Sequence, residues 1–178
     1  MARPAREPAA VARSAQPADD FVDDLFRAHA VTLVRLAVVL LGDQPSAEDV
    51  VQDAFLRLYR AVPGLRDRDR ALGYLRVSVI NGSRSVLRAR RRSVLRRAQH
   101  DPAVWSAESA AMDGEDRRAV LAAVARLPRR SREVLALRYY LDLPDGEIAA
   151  VLGVSRGTVS STAARARAAL ARVLKEEP

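Results

Sequence analysis

The sequence predicts an all-α protein made of two small helical domains joined by a flexible linker. Aromatic residues make up only 4% of the 178 residues, whereas the helix-favouring residues Ala, Leu and Arg are abundant. Strands of a sandwich or barrel are enriched in aromatic side chains, so the composition argues against those folds. Apolar residues recur at spacings close to 3.6 through most of the chain, as the core-facing side of a helix requires.

Changes in composition divide the chain into four parts. Residues 1–18 contain three prolines and no helical period, which predicts a disordered tail. Helical patterns fill residues 19–98 and residues 114–176. Residues 99–113 lie between them and hold Pro102, two serines and the only Trp, Trp105, which predicts a linker.

Three helices are expected in the first half. The first starts near Asp19 and ends at Gly42, in the position that a left-handed cap prefers. The second starts with Ser46 as its N-cap and ends at "VPGL", 62–65. The third runs from about Ala71 to Arg97. The second helix has an apolar stripe, formed by Val50, Val51, Ala54, Phe55 and Leu58, and an opposite polar face, formed by Glu48, Asp49, Gln52, Asp53 and Arg57.

The second half is predicted to be helical as well. "EDRRAVLAAVARLP" and "RRSREVLALRYYLDL" each carry an apolar face, and Ser131 is a candidate cap for the second of them. Two shorter patterns follow at about 144–152 and 156–174. The side chains expected to point inward in the first two segments are Val120, Leu121, Val124, Leu127, Val134, Leu135, Leu137 and Tyr139.

The charge of the chain favours a polyanionic partner. The net charge is +8, and of the 30 basic residues only Lys175 is lysine. GC-rich coding accounts for most of that arginine bias, but it does not account for the excess of positive charge. There is no cysteine, and His29 and His100 stand far apart, so we expect neither a metal site nor a cofactor.

Hydropathy argues against a membrane protein. The most apolar segment, "VTLVRLAVVLL" at 31–41, has 11 residues and contains Arg35. A membrane-spanning helix needs roughly 20 apolar residues. No signal peptide is recognisable before the first helix. We therefore expect a soluble, cytoplasmic protein.

The stretch "EIAAVLGVSRGTVSSTAARARAAL", 147–170, predicts a helix-turn-helix. Gly153 permits the turn, and Ser155 caps the second helix. In such motifs the start of the second helix enters the major groove. The alternative is a plain helical hairpin with a solvated face, but the pattern together with the positive charge favours DNA binding. The candidate DNA contacts are Arg156, Gly157, Thr158, Ser160 and Ser161 at the start, and Arg165 and Arg167 further along.

Three blocks of the chain resemble the extracytoplasmic-function sigma factors of RNA polymerase, most closely an actinobacterial SigE-like subgroup. Residues 127–170 are similar to region 4 of that family, and "AEDVVQDAFLRLYRAV", 47–62, is similar to region 2. "ALGYLRVSVINGSRSVLRARRR", 71–92, resembles the helix that follows in region 2. The blocks occur in the family's order, over about 19–175.

The resemblance implies two partners, core RNA polymerase and promoter DNA, and leaves open whether an anti-sigma factor also binds. Residues 19–98 would bind the β′ clamp helices and would recognise and melt the −10 element, with the loop 62–70 holding a flipped base. Residues 114–176 would bind the −35 element and would contact the β flap through the surface around 134–143. The implied contacts are Glu48, Asp49, Gln52, Asp53 and Arg57 for core polymerase; Arg66, Arg68, Tyr74, Arg76, Asn81, Arg84 and Arg88 for the −10 element; Arg90, Arg91 and Arg92 for phosphates; and Arg156, Thr158, Ser160, Ser161 and Arg165 for the −35 element.

Two other function classes were weighed against this one. A stand-alone helix-turn-helix regulator would bind operators without polymerase, but it does not need "AEDVVQDAF" followed by a basic helix. An enzyme acting on nucleic acid would need a phosphate-binding loop, a carboxylate cluster at metal spacing or a nucleophile paired with His, and none is recognisable. The sequence therefore predicts a non-enzymatic initiation factor.

Overall fold

The computed structural model describes residues 16–64, 67–97 and 115–176, and these residues form helices and turns without a strand. The all-α prediction is thereby confirmed. Most of the predicted tail, the predicted linker with Trp105, and Arg66 lie outside the described residues. The seven α-helices of the described part are α1 (Gln16–Leu41), α2 (Gln44–Ala61), α3 (Ala71–Arg97), α4 (Glu115–Arg126), α5 (Arg129–Leu135), α6 (Asp145–Leu152) and α7 (Arg156–Glu176).

The junction between α1 and α2 differs from the prediction in its cap. Gly42 ends α1 with a φ of 83°, and its N–H donates to the carbonyl of Val38 at 2.8 Å, as expected for a left-handed cap. The N-cap of α2 is Asp43, whose Oδ1 accepts from the N–H of Ser46 at 3.0 Å. The prediction of Ser46 as the cap is therefore wrong. Pro45, which fits the first turn of a helix, lets α2 begin before Ser46.

The apolar stripe of α2 is buried as predicted. Val51, Ala54 and Leu58 are almost fully buried against α1 and α3. Leu75 and Val79 of α3 face the same core. The amphipathic pattern of α2 therefore determines which of its side chains are exposed to solvent.

A wide turn at Ala136–Tyr140 extends α5, and it changes which residues are exposed. The N–H of Leu141 reaches back five residues to the carbonyl of Ala136, at 3.3 Å, so the register of the helix shifts here. Tyr139 is consequently 60% exposed, and the prediction that it points inward is wrong.

Two smaller expectations for this half also fail. Val120 is 42% exposed, although it lies one turn before Val124 on the face that α4 buries against α1 and α7. The N-cap residue of α5 is Pro128, whereas Ser131 lies inside the helix. The remaining predicted core residues of α4 and α5, Val124, Leu127, Val134, Leu135 and Leu137, are buried, and Leu121 is partly buried.

The two halves of the described chain share one hydrophobic core. Buried side chains of α1 to α3 form a single cluster with Val134, Leu137 and Ile148 from the second half. Helix α1 packs on α4 and α5, and α3 packs on α6. Among the described helices, none has the length and apolar character needed to cross a membrane.

Candidate nucleic-acid interface

An exposed stripe runs along α3 through Tyr74, Asn81 and Arg88. Seven residues are close to two turns of an α-helix, so these three side chains lie on one face. Arg88 donates from Nη2 to the hydroxyl of Ser85 at 2.8 Å. The stripe presents an aromatic ring, an amide and a guanidinium in series.

Two further predicted −10 residues on α3 point toward the second half of the chain. Nη1 of Arg76 lies 3.1 Å from Oε2 of Glu147 on α6. Arg84 donates from Nε and Nη2 to the two carboxylate oxygens of Glu133 on α5, each at 2.8 Å. Hydrogen bonding to Glu133 raises the pKa of Arg84 above its ordinary value, although partial burial opposes the shift.

The short loop before α3 holds Arg68 at the surface. The side chain of Asp67 accepts from the N–H of Asp69 at 3.0 Å and from Nε of Arg70 at 2.9 Å, which fixes the turn. The guanidinium carbon of Arg68 lies 4.8 Å from the centroid of the Phe21 ring, within the range of a cation–π contact. Arg66, the other loop residue predicted to contact the −10 element, lies outside the described residues.

Arg90 is bound to other groups of the protein, although its side chain remains 40% exposed. Nη1 donates to the carbonyl of Leu41 at 2.9 Å, and Nη2 donates to Asp43 and to the hydroxyl of Ser46. Burial tends to raise the pKa of Asp43, but hydrogen bonds from Arg90 and Ser46 outweigh it and hold that pKa below its ordinary value. Arg90 therefore ties the α1–α2 junction to α3, whereas its neighbours Arg91 and Arg92 are exposed.

The helix-turn-helix forms as predicted from α6 and α7. Gly153 has a φ of 67°, in the left-handed region. A residue with a side chain would be strained in this backbone conformation. The hydroxyl of Ser155 accepts from the N–H of Thr158 at 3.1 Å, so Ser155 caps α7. Val159 is fully buried and fixes the rotation of α7 about its axis.

That rotation leaves the predicted −35 residues on the outside of α7. Thr158 and Ser155 share a hydroxyl hydrogen bond at 2.9 Å, and Arg165 donates from Nε to the carbonyl of Ser161 at 3.3 Å. The predicted −35 residues are all exposed: Arg156, Thr158, Ser160, Ser161 and Arg165.

Arg156 extends back over the first turn of α6. A Cβ added to Gly146 would stand 2.8 Å from Nη2 of Arg156, so the absent side chain leaves room for the guanidinium. An open depression of about 440 Å³ lies here, and Pro144 and Ala150 also line it. The depression beside the first turn of α7 is thus lined by one cation, Arg156, and by two acids, Asp145 and Glu147.

The predicted polymerase-binding face of α2 is exposed and mostly acidic. Oε1 of Glu48 accepts from Nε2 of Gln44 at 2.6 Å, and Asp53 lies 3.6 Å from Nη2 of Arg57. The pairings occur along the helix surface, and none of the elements in the described part of the chain covers the face. The exposed members are Glu48, Asp49, Gln52, Asp53 and Arg57.

Sequence reasoning missed an apolar groove beside this face. Phe26 of α1 meets Phe55 of α2 edge to face, with ring centroids 5.0 Å apart, yet it remains half-exposed. Gln52, Leu56 and Tyr59 share a helical face at spacings of four and three, and that spacing was the available signal. The groove has a volume of about 220 Å³ and is lined by Val22, Phe26, Gln52, Phe55, Leu56 and Tyr59.

Sequence reasoning also missed the carboxylates that hold Arg76 and Arg84. Glu133 falls in the apolar pattern of α5 and is nevertheless 1% exposed, and no local spacing links it to Arg84, 49 residues away. Within the described ranges, no group of three or more His, Asp or Glu side chains is arranged to hold a metal ion.

Comparison with known families matches both halves of the chain. The model of sigma-70 region 2 matches residues 25–93, and the model of sigma-70, region 4 matches residues 117–170. The RNA polymerase sigma-E factor of Streptomyces antibioticus is 32% identical over 153 residues, which cover 86% of this chain and 84% of that protein. The ECF RNA polymerase sigma factor SigM of Mycobacterium tuberculosis H37Rv is 33% identical over 157 residues, which cover 85% and 76% of the two chains.

Solved structures show the same fold. CnrH, determined in complex with the cytosolic domain of CnrY, superposes with a TM-score of 0.69 at 27% identity, over 94% of this chain and 96% of that one. The sigma factor RpoE of Bartonella quintana, determined in complex with the anti-sigma factor NepR, gives a TM-score of 0.70 at 24% identity, over 90% and 99%. Because RpoE is only 24% identical to this chain, its similarity shows that the two proteins share a fold and nothing more.

Region 2 followed by region 4 defines a sigma-70-type initiation factor. The chain belongs to the extracytoplasmic-function sigma factors of RNA polymerase, with SigE-like actinobacterial relatives. It binds core polymerase and directs promoter-specific initiation of transcription. A stand-alone regulator is not favoured, because region 2 is present alongside the helix-turn-helix.

Proposed function

We propose that three exposed faces of this chain divide the work of initiation. The exposed stripe of α3 binds the −10 element, and the start of α7 binds the −35 element. The polar face of α2 binds the β′ clamp helices. The observation that carries this assignment is that one chain exposes all three faces on separate helices. In the same scheme, residues 19–98 act as the region 2 domain and residues 114–176 as the region 4 domain.

The −10 assignment rests on the chemistry of the α3 stripe. Melted DNA exposes base faces that stack on aromatic rings and base edges that bind amides. Tyr74 offers the ring, and Asn81 offers the amide. Arg88 and Arg68 offer charge to phosphates, a contribution that does not depend on sequence. Arg76 and Arg84 would also contact DNA once Glu147 and Glu133, the carboxylates that they bind, move away.

The −35 assignment rests on the exposed first turns of α7. Arg156 has the fork geometry that reads guanine, and the hydroxyls of Thr158, Ser160 and Ser161 can serve either as donors or as acceptors at base edges. Small side chains also let the helix approach the groove closely. Arg165, two turns further along, is placed to neutralise the backbone.

Docking on polymerase is assigned to α2. An acidic, uncovered surface suits a basic partner, and the adjoining groove at Phe26 and Leu56 adds apolar area of the kind found at the centre of protein interfaces. Within the range 134–143 predicted to contact the β flap, Val134, Leu135 and Leu137 are buried in the core, so the contact would be made by the exposed Tyr139 and Tyr140.

The remaining assignments follow from this role. Catalysis belongs to the polymerase, so the chain itself is not an enzyme and needs no cofactor or metal. It works in the cytoplasm, where promoter DNA and polymerase are found. An anti-sigma factor is a further candidate partner, since RpoE of the same fold was solved bound to one.

Reconstitution tests the proposal directly. The purified chain is mixed with actinobacterial core RNA polymerase, and run-off transcription is carried out on fragmented genomic DNA with the start sites mapped. We expect start sites preceded by a shared pair of motifs near −10 and −35. Failure to associate with core polymerase, together with tight binding to duplex DNA alone, would overturn the proposal in favour of a stand-alone regulator.

A further inference from the structure

Gly146 lies in the first turn of α6, at a position where the backbone does not require a glycine. Gly42 and Gly153 have a positive φ, whereas Gly146 does not. Alanine could therefore adopt the same backbone conformation, and it is the better helix former of the two residues. The reason for a glycine at this position lies in the surroundings of its Cα atom rather than in the turn itself.

The guanidinium of Arg156 occupies the space that a side chain at position 146 would need. A Cβ built there would stand 2.8 Å from Nη2, 3.1 Å from Nε and 3.2 Å from Cζ of Arg156, and these are its three nearest atoms. Nε and Nη2 are both nearer than Cζ, so the edge that these two nitrogens form is the one turned toward Gly146. Nη1 lies farther away.

The acids that line the same depression are bound to other arginines. Asp145 pairs with Nη2 of Arg138, and Oε2 of Glu147 lies 3.1 Å from Nη1 of Arg76. In the described part of the chain, neither acid is within ion-pair distance of Arg156. The guanidinium of Arg156 is therefore placed by the shape of the depression, and its N–H groups remain available to a ligand.

The placement restricts how Arg156 can meet a base. A guanidinium carries five N–H donors in a rigid fork, and a bidentate contact to guanine uses two of them. With the Nε–Nη2 edge turned toward α6, the outward-facing pair of nitrogens is Nη1 and Nη2. A side chain that is already held in one direction also loses less freedom when it binds.

We propose that Gly146 is a specificity-determining residue for the −35 element, which acts by leaving room for Arg156 to present Nη1 and Nη2 to the major groove. The proposal rests on the proposed function, in which Arg156 contacts the −35 element. Gly146 is a positioning residue, because it acts through Arg156. A methyl group at position 146 would displace the guanidinium rather than the helix, since the guanidinium is the far end of a flexible side chain.

The position of the guanidinium is measured first, without DNA or polymerase. In the ¹⁵N-labelled chain, the Nε–Hε resonance that is missing from Arg156→Lys belongs to Arg156. We expect this resonance to shift by more than its linewidth in Gly146→Ala. Gly73→Ala adds the same methyl group to α3, where nothing lies within 4 Å, and should leave the resonance in place. The thermal midpoint of Gly146→Ala, followed by circular dichroism, should not fall below that of the wild type.

Base preference is measured with the reconstituted holoenzyme on duplex promoters that are randomised across the −35 element and identified by sequencing their transcripts. The wild type should favour guanine at one or more positions, and Arg156→Ala should abolish that preference. We expect Gly146→Ala to reduce it about threefold, as contacting residues that act together would. Preferences in the −10 element should not change, and Gly73→Ala should keep the wild-type −35 preference. Adding Gly146→Ala to Arg156→Ala should have no further effect.

The outcomes distinguish the role of Gly146 from the role of Arg156. A guanine preference that is lost in Arg156→Ala but intact in Gly146→Ala would overturn the role of Gly146 and leave the −35 assignment standing. A preference that survives Arg156→Ala would overturn both. A further loss in the double variant would show that Gly146 acts without Arg156, which contradicts the proposal. Absence of transcription would count against the proposed function, and an unshifted resonance in Gly146→Ala would by itself overturn the positioning of Arg156.

Discussion

Gly82 of α3 faces Val50 of α2 at a contact that leaves no space for a methyl group. A Cβ at position 82 would stand 2.8 Å from Cγ1 of Val50. Val50 is buried and β-branched, so its methyl groups have little freedom to move aside. The two helices that carry the proposed polymerase-binding and −10 faces are therefore in close contact at this point.

Gly82→Ala should destabilise the protein because it overpacks this contact. We expect a loss of about 1–3 kcal/mol in the free energy of unfolding, measured by urea denaturation. Gly73→Ala, in the same helix with nothing within 4 Å of an added Cβ, is the matched control. It should stabilise the protein by about 0.5–1 kcal/mol, as expected for alanine in place of glycine in a helix. Equal effects at the two positions would contradict the close contact.

Asp43→Asn should weaken the α1–α2 junction in a pH-dependent way. The pKa of Asp43 is held below its ordinary value, so the ionised carboxylate stabilises the fold above the unfolded pKa of about 4. That stabilisation is lost as the pH falls through the lower, folded value. We expect the variant to be less stable at pH 7 by about 1 kcal/mol, with the difference shrinking below pH 4.

Urea unfolding across this range measures the effect, and Asp23→Asn on the solvent-facing side of α1 serves as the control. A constant difference between wild type and Asp43→Asn at every pH would show that the charge of Asp43 does not contribute. Asparagine keeps the capping oxygen, so the comparison isolates the charge paired with Arg90.

Asn81→Ala should impair promoter opening while core binding is kept. The amide lies in the exposed stripe of α3, away from the polymerase-binding face of α2. We expect a drop of about tenfold in run-off transcription from a duplex promoter, equivalent to about 1.4 kcal/mol. Ala89→Ser, also exposed on α3, should behave as wild type. A fall in affinity for core polymerase would refute the assignment of this face to DNA.

Arg156→Ala and Arg165→Ala should reduce transcription from promoters that require a −35 element. Loss of a guanine-reading arginine costs about 1–3 kcal/mol of discrimination, so Arg156→Ala should also relax sequence preference. Arg172→Ala, exposed further along α7, should have a much smaller effect. Unchanged activity in both test variants would count against α7 as the recognition helix.

Asp53→Lys should weaken binding to core polymerase. The substitution reverses a charge on the exposed face of α2 and removes the partner of Arg57. Surface charge chiefly affects the association rate and its salt dependence, so we expect slower association by about fivefold, measured by surface plasmon resonance. Asp23→Lys reverses an equally exposed charge on α1 and should have little effect. Similar losses in the two variants would point to net charge rather than to a specific docking face.

Local patterns in the sequence predicted the helices and the exposed faces well. The apolar stripe of α2, the start of α3 at Ala71, and the turn at Gly153 follow from periodicity and from glycine chemistry. These features depend on residues within a turn or two of each other, which is the range over which a sequence pattern is informative.

Most of the features that could not be predicted depend on distant partners or on a local change of register. The pairing of Arg84 with Glu133 joins residues 49 apart, and Arg90 bonds across to the end of α1. The exposure of Tyr139 follows from a wide turn that a regular 3.6 period does not anticipate. The capping by Asp43 was missed because Ser46 offered an equally plausible start.

The burial of Glu133 makes its ion pair with Arg84 respond to dissolved salt differently from the DNA contact proposed for Arg84. A carboxylate that is 1% exposed is screened little by mobile ions, whereas DNA binding weakens steeply as ionic strength rises. Concentrated salt therefore favours the internal partner over the nucleic acid.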